Sequence, residues 1–497
     1  MFRTGAQYVE SLRDGRTVFV NGERALDVTE HLAFRAAVRS IANLYDLAAA
    51  PEHRDVMTFP SPATGAPVNA SFLLPRTRAD LAARRRAHRL WAEATFGLMG
   101  RSPDHVPGFI TGFALRPDLF AQAGARFGEN VVRYHAYLRD RDLYASYVII
   151  PPIVDRAKPA HRQDDPTLYA GVVAERSDGI VVTGAQMLGT GAAISNEVFV
   201  SCINPLQPGD ENYALSFAVP AATPGLRMIV RRPYAETAPS VYDYPLSARF
   251  DETDALVIFD RVFVPWERVF VYRNVALTRA QFYETPAHLL GNFQAQVRFA
   301  AKAEFLAGLG LRIAESMGVD SLRETQTALG ELASYCGMAA GLVVAAESEC
   351  QLDPRGFVYP HPTYLYANNW LQATYYQTMV TYLRELSGGG LLQVPSSYRD
   401  YLNPEIAADL DRFVRSPGLK SVERVKLYKL AWDLVGSEFA GRHQQYELFY
   451  AGGRAQTTSI RAFRSFDFAA ARAMVDRCLA GYDLPADPPR GEDRPRS

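Results

Sequence analysis

The chain has 497 residues, 48% of them hydrophobic, enough to bury a large core in two or three domains or in one large subunit. Its 53 Lys and Arg are balanced by 54 Asp and Glu, and the formal net charge of −1 excludes the basic footprint of a nucleic-acid binder. Cys202, Cys336, Cys350 and Cys478 are too widely spaced for a disulfide framework or a zinc site, and no apolar run long enough to span a membrane and no secretory h-region is seen, so a soluble cytoplasmic protein is expected.

Residues 1–140 read as mainly helical. Thr4-x-x-Gln7 is a capping box that opens a short helix. Val18-Phe19-Val20, then Asn21-Gly22, then Glu23 to Leu26 reads as a β-hairpin, because Asn-Gly suits a type I′ turn. Apolar residues recur at helical spacing from Thr29 through Leu44, and a second helical stretch runs from Arg78 through Met99.

The texture changes near Leu143, and residues 141–274 read as a β domain. Tyr147 to Ile150 ends at Pro151-Pro152, as a strand would. Tyr169 to Ala174 and Ile180 to Thr183 flank Asp178-Gly179, a strong hairpin signal. Val198 to Val200, Ala214 to Val219, Arg227 to Val230 and Ala255 to Val264 continue the pattern, which predicts an antiparallel barrel or sandwich.

Residues 275–482 read as a helical bundle. Phe299, Ala303, Leu306, Leu309 and Ile313 share one face, Ser321-x-x-Glu324 is expected to cap the following helix, and Val422 through Tyr450 behaves similarly. Small residues along these helices suggest an oligomer interface. Residues 483–497, rich in Pro, Arg and Asp, are expected to be a disordered tail. The order helical, β, helical is an α+β arrangement, that of the acyl-CoA dehydrogenase architecture, in which a flavin lies between the β domain and the C-terminal bundle.

Several segments then carry a resemblance. They are Gly100-Arg101-Ser102-Pro103-Asp104, Pro151 to Arg156, Asn204 to Asn212, Asp243 to Asp254 continuing to Phe270, and Gly441-Arg442-His443 through Gly452. As a set, in this order, they resemble the large component of 4-hydroxyphenylacetate 3-monooxygenase and its chlorophenol- and nitrophenol-oxidising relatives. The resemblance implies a separate NAD(P)H:flavin reductase that supplies FADH2. It implies that this chain, as a homotetramer, uses FADH2 and O2 through a C4a-hydroperoxyflavin to hydroxylate a phenol ortho or para to its hydroxyl, the phenol being free or carrier-tethered. Such chemistry needs a dry, shaped site but no metal and no nucleophilic triad, because the flavin carries the hard step. The absence of a Gly-x-Gly-x-x-Gly turn fits; Gly189-Thr190-Gly191 is the nearest approach and sits in β texture.

By resemblance, Arg101 reaches the phenolic oxygen or the flavin, where a guanidinium that stays charged can stabilise a phenolate. His105 and Tyr147 stand where the phenylacetate hydroxylases carry Tyr and His, so the two residue types are exchanged. Either the hydrogen-bonding pair is kept with its members swapped, or the pocket serves another substrate, or both residues line its wall. His288 is the expected base that deprotonates the phenol. Thr190 and Tyr147 are expected at the flavin ring, Arg156, Arg442 and Gly452 at its polar parts, and Asp251 either at the ring or in a turn. Asn204 and Pro205 lie in a connection that reads as an exposed loop or as a lid over the substrate.

Two other functions are compatible with parts of this sequence. An acyl-CoA dehydrogenase-fold enzyme acting on a non-phenolic substrate would need a carboxylate base and a CoA site. A non-catalytic flavin-binding homologue would not need Arg101, Thr190 and His288. An iron–sulfur dehydratase of related fold would need cysteines near residue 101 and near His288, and none stands there.

Overall fold

A computed structural model describes residues 2–449 and 455–480. Gly452 and the expected tail at 483–497 lie outside them. The N-terminal helices Arg35–Ala49, Arg78–Ala94, His105–Ala114 and Ala125–Arg141 are followed by a β-rich middle. The long helices Ala287–Met317, Arg323–Ser348 and Pro362–Ser387 come next, with Ser421–Val435 and Glu438–Phe449 beside them. The helical, β, helical order of the acyl-CoA dehydrogenase-like architecture is therefore present.

The middle does not close into a barrel. One sheet has six strands, in the order Glu23–Ala25, Val18–Val20, Leu226–Val230, Ala255–Pro265, Gly179–Gln186 and Gly171–Arg176. The other has four, Val269–Tyr272, Leu215–Pro220, Glu197–Val200 and Ala145–Val148. Neither is purely antiparallel: Val18–Val20 runs parallel to Leu226–Val230, and Ala145–Val148 parallel to Glu197–Val200. Closure fails because the outer strands of the six-stranded sheet find no partner in each other. The sheets instead meet through buried side chains, with the Phe217 and Phe259 rings edge to face at 5.7 Å.

The N-terminal hairpin forms as its turn chemistry requires. Asn21 and Gly22 both have positive φ, 53° and 84°, the pair that a type I′ turn demands. The Thr4–Gln7 capping box also forms. The cap expected at Ser321 does not: that helix begins at Arg323, with Leu322 at the cap position and no side-chain bond to it. The first long helix likewise begins at Arg35 rather than Thr29, because residues 27–34 turn on Asp27, which accepts from the Thr29 amide and hydroxyl.

Glycines set the distance between the two halves. A Cβ on Gly108 would stand 2.8 Å from the Gly291 Cα, and one on Gly112 would stand 2.2 Å from the Ala287 Cα. Helix His105–Ala114 therefore lies backbone to backbone on the start of helix Ala287–Met317. No larger residue fits at either position.

The bundle holds a buried ion cluster. Glu447 accepts from both terminal nitrogens of Arg298, at 2.7 and 2.8 Å, and from Lys302 Nζ at 2.8 Å. Lys302 also lies 3.1 Å from His443 Nδ1, and Gln372 donates to Glu447, so three helices are tied together. Burial would raise the Glu447 carboxyl, but Arg298 and Lys302 overcome it and pull its pKa down to about 2. Removing one member of such a cluster strands the others without a countercharge.

Glu447→Gln is accordingly expected to cost about 3–5 kcal/mol of stability, read as a lower denaturation midpoint at neutral pH. Because the folded pKa lies below the free carboxyl value, the stabilisation is complete above about pH 4.5. It is lost as pH falls toward the folded value, so the gap between wild type and variant should narrow in acid. A gap independent of pH would show that the charge of Glu447 is not what stabilises the bundle.

Candidate active site

The chain reverses after helix Arg78–Ala94 through Phe96 and Gly97, both at positive φ, and so delivers Gly100-Arg101 to the bundle. Gly100 is required there, since a Cβ would stand 2.4 Å from the Tyr446 hydroxyl. Glu252 accepts from the Gly100 amide at 3.0 Å and from the Arg101 amide at 2.6 Å. The Arg101 guanidinium donates to the Tyr446 hydroxyl at 2.7 Å and stands 5.0 Å from the centre of that ring.

Arg101 opens onto a cavity of about 390 Å³ between the sheets and the bundle. Phe109, Tyr147, Ile149, Ile150, Met187 and Phe282 make its apolar walls, and His105, Thr190, Asp254, His288 and Arg442 supply its polar groups. Most of the expected site residues thus converge on one space, from three parts of the chain.

His105 begins helix His105–Ala114 and is buried. Its Nδ1 lies 3.0 Å from Gln294 Oε1, and Gln294 Nε2 donates to Asp104 Oδ1 at 3.1 Å. Asp104 in turn accepts from Ser102 at 2.5 Å and lies 2.7 Å from His88 Nδ1. Burial, and then the nearby Arg101 guanidinium, hold the His105 ring well below the usual imidazole range. Tyr147 packs against Phe109 and Phe199, at 4.7 and 5.1 Å between ring centres, and its buried hydroxyl has no protein partner. Burial pushes that phenol well above its ordinary value, so it stays protonated. His288 sits at the outer end of the cavity, its Nδ1 3.2 Å from the Tyr366 hydroxyl and beside the Asn292 amide. Burial again keeps it neutral.

Thr190 donates its hydroxyl proton to Asp254 at 2.5 Å. Asp254 also accepts from Arg442 at 2.9 and 3.1 Å and from Arg231 at 2.8 Å. Burial would raise the Asp254 carboxyl, but Arg442 and Arg231 hold it far below the usual range. The charge of Arg442 is therefore already balanced inside the protein by Asp254 and Glu252.

The remaining expected residues stand elsewhere. Asp251 does not line the cavity: it accepts from Arg231 at 2.6 Å and from the Tyr234 amide at 2.6 Å, and so shapes a turn. Arg156, Asn204 and Pro205 are exposed and outside the cavity lining, although Ile203 next to them does line it. Gly452 lies outside the described residues. Glu252, Asp254, Tyr446 and Gln294 were not singled out from the sequence. The first three lie inside segments that carried the resemblance, whereas a lone Gln in a helix carries no signal. Among the described residues, no cluster of three or more His, Cys, Asp or Glu could hold a metal ion.

Residues 4–271 match the family described as 4-hydroxyphenylacetate 3-hydroxylase N terminal, and residues 278–480 match its C-terminal counterpart. The chain is 37% identical to the pyoverdin chromophore biosynthetic protein PvcC of Pseudomonas aeruginosa, over 97% of this chain and 96% of that one. It is 37% identical to the 4-hydroxyphenylacetate 3-monooxygenase oxygenase component of Thermus thermophilus, over 91% and 92%. A Streptomyces globisporus monooxygenase, named for a chlorinated hydroxyphenyl substrate on a peptidyl-carrier protein, is 35% identical over 97% and 91%. The crystal structure of the oxygenase component HpaB of 4-hydroxyphenylacetate 3-monooxygenase, complexed with FAD and 4-hydroxyphenylacetate, superposes with a TM-score of 0.91 at 35% identity, covering 96% of this chain and 98% of that one. The chain belongs to the 4-hydroxyphenylacetate 3-hydroxylase family.

Proposed function

We propose that this chain is the oxygenase component of a two-component monooxygenase that uses FADH2 and O2 to hydroxylate a phenol. The observation that carries the reading is the convergence of Arg101, His105, Tyr147, Thr190 and His288 on one aromatic-walled cavity, at the junction of sheets and bundle. The family likeness supports it over its whole length.

The residues present fit a reduced flavin. The Tyr147 hydroxyl is buried and lacks a protein partner, which is the mark of a group completed by a ligand. Thr190 has committed its proton to Asp254, so it offers lone pairs and no proton to a ring edge beside it. A reduced flavin carries an N–H where the oxidised ring has a bare nitrogen, and the match therefore favours the reduced form. Bound there, FADH2 supplies together with O2 the oxygenating chemistry. The chain's own part is to hold the ring against Thr190 and Tyr147, to keep water out with Phe109, Ile149, Met187 and Phe282, and to fix the phenolic oxygen at Arg101.

A second cavity, of about 550 Å³, shares Phe282, His288 and Arg461 with the first and leads outward past Arg279 and Arg464. It gives room for a substituent on the phenol, up to the arm of a carrier protein. His288 forms part of the neck between the two spaces.

The assembly we propose is a cytoplasmic homotetramer served by a separate NAD(P)H:flavin reductase. Helix Arg323–Ser348 packs into the bundle, yet over most of its length it is apolar, and it leaves Met338 and Val344 more than 40% exposed. Gly330, Gly337 and Gly341 on it have nothing within 4 Å of where a Cβ would be. Such a face asks for a second copy. Light scattering at micromolar concentration should give four times the 55.1 kDa chain mass; a monomer would contradict the assembly.

The purified protein should bind FADH2 at least about tenfold more tightly than FAD, one hydrogen bond's worth of discrimination. It should consume no NADH alone, and should hydroxylate a phenol once a flavin reductase is added. Thr190→Val should shrink the reduced-over-oxidised preference. NADH oxidation by the isolated chain would sink the two-component reading, and an unchanged preference would remove Thr190 from it.

A further inference from the structure

We infer that Gln294 fixes His105 as its Nδ1–H tautomer, so that the Nε2 lone pair of His105, rather than His288, accepts the phenolic proton. The inference rests on the phenol-hydroxylase reading for its substrate, but its structural half stands on this chain alone.

An ionised carboxylate can only accept, and Asp104 already accepts from Ser102 and pairs with His88 Nδ1. Gln294 must therefore turn its amide nitrogen to Asp104, at 3.1 Å, because the reverse orientation would set two acceptors face to face. That leaves Gln294 Oε1 at 3.0 Å from His105 Nδ1, and an amide oxygen demands a donor there. Nδ1 accordingly carries the proton, and Nε2 is left as a bare acceptor on a ring that lines the cavity. All three side chains are nine-tenths buried or more, so water does not scramble the chain of bonds. Burial, with Arg101 and Arg298 nearby, keeps the ring singly protonated before a phenol binds, so Nε2 is available as an acceptor. His288 is less constrained: its contacts are to Tyr366 and Asn292, and a hydroxyl and an amide do not dictate one tautomer.

The two nitrogens of His105 thereby divide the work with Arg101. The guanidinium attracts the phenolic oxygen, and Nε2 receives its proton. O2 and two electrons from FADH2 provide one hydroxyl equivalent, and the second oxygen leaves as water. As the new C–O bond forms at the ring, the phenolic O–H bond breaks, its electron pair becomes the carbonyl of a dienone, and the proton passes to Nε2. The hydrogen on the oxygenated carbon leaves as a proton and is taken up by the second oxygen as that oxygen departs as water; this restores the aromatic ring, and His105 returns its proton to the phenolate oxygen to give the diol. Gln294 acts as a positioning residue, because it touches His105 and not the substrate.

Neutron diffraction from perdeuterated wild-type crystals at neutral pH tests the tautomer without any variant. Deuterium on Nδ1 with Nε2 bare is expected; deuterium on Nε2, or on both nitrogens, overturns the inference. Kinetics with FADH2 supplied by a reductase test its consequence. Gln294→Met should lower turnover of a weakly acidic phenol such as 4-hydroxyphenylacetate about tenfold, and His105→Leu roughly 10²–10⁴-fold. At about pH 8, where 4-nitrophenol is mostly ionised, Gln294→Met should leave its turnover within about twofold, and His105→Leu should cost clearly less with it than with 4-hydroxyphenylacetate. His288→Ala should affect acidic and weakly acidic phenols alike. Equal losses across phenols for Gln294→Met, or a loss graded by acidity for His288→Ala alone, would overturn the assignment. Failure of the wild type to hydroxylate any phenol would instead strike the function, while the neutron map still decides the tautomer.

Discussion

The architecture of the site depends on one short run of carboxylates, Glu252 and Asp254, placed just before strand Ala255–Pro265. Glu252 holds the amides of Gly100 and Arg101 from the N-terminal part and meets Arg442 from the bundle. Asp254 holds Thr190 from the sheet, Arg231 beside it, and Arg442 again. Thr253 between them adopts a positive φ of 55°, a conformation that a β-branched residue takes only when its neighbours impose it. Three parts of the chain are thus locked to a single strand end, and the cavity is what remains between them.

This arrangement explains why the charged residues around the site are not interchangeable. Arg442 and Arg231 are consumed in neutralising Asp254, and Arg298 and Lys302 in neutralising Glu447. Burying these charges is tolerable because each of them is paired with a carboxylate. Arg101 differs: its backbone is fixed by Glu252, while its guanidinium reaches past Tyr446 to the cavity. The cavity thereby combines aromatic and aliphatic walls with the Arg101 guanidinium, and its histidines are kept neutral by burial. A neutral imidazole and a permanent cation are complementary tools for a phenol, the first for its proton and the second for its oxygen.

Much of this was legible in the sequence because it rests on local rules. The Asn21-Gly22 hairpin follows from turn chemistry, and the helices of the bundle from their 3.6-residue apolar period. The alternation of helical, β and helical texture needed only composition and periodicity. Arg101 was legible for a different reason, because the segment around it matched a family pattern, and His105, Tyr147, Thr190 and His288 because the resemblance assigned them roles; the cavity collects them all. Where the reading was purely local it also overreached. Ser321 and Glu324 have the spacing of a cap, yet the helix starts at Arg323, and spacing alone does not commit a chain to bend there.

Sequence by itself therefore determined the elements, their order and the residue types that bear on the chemistry. Tertiary structure decided how the strands join, since pairing of Val18–Val20 with Leu226–Val230 links segments some two hundred residues apart and leaves no trace in either. It also decided which polar groups are spent on the fold and which remain for a ligand. Asp251 and Arg442 stand among the residues expected at the site, but the first is held by Arg231 and the Tyr234 amide and the second by two carboxylates. The role of Gln294 is the extreme case. Its meaning lies in which of its two amide atoms faces Asp104, and that follows from a hydrogen-bond partner 190 residues away in the chain.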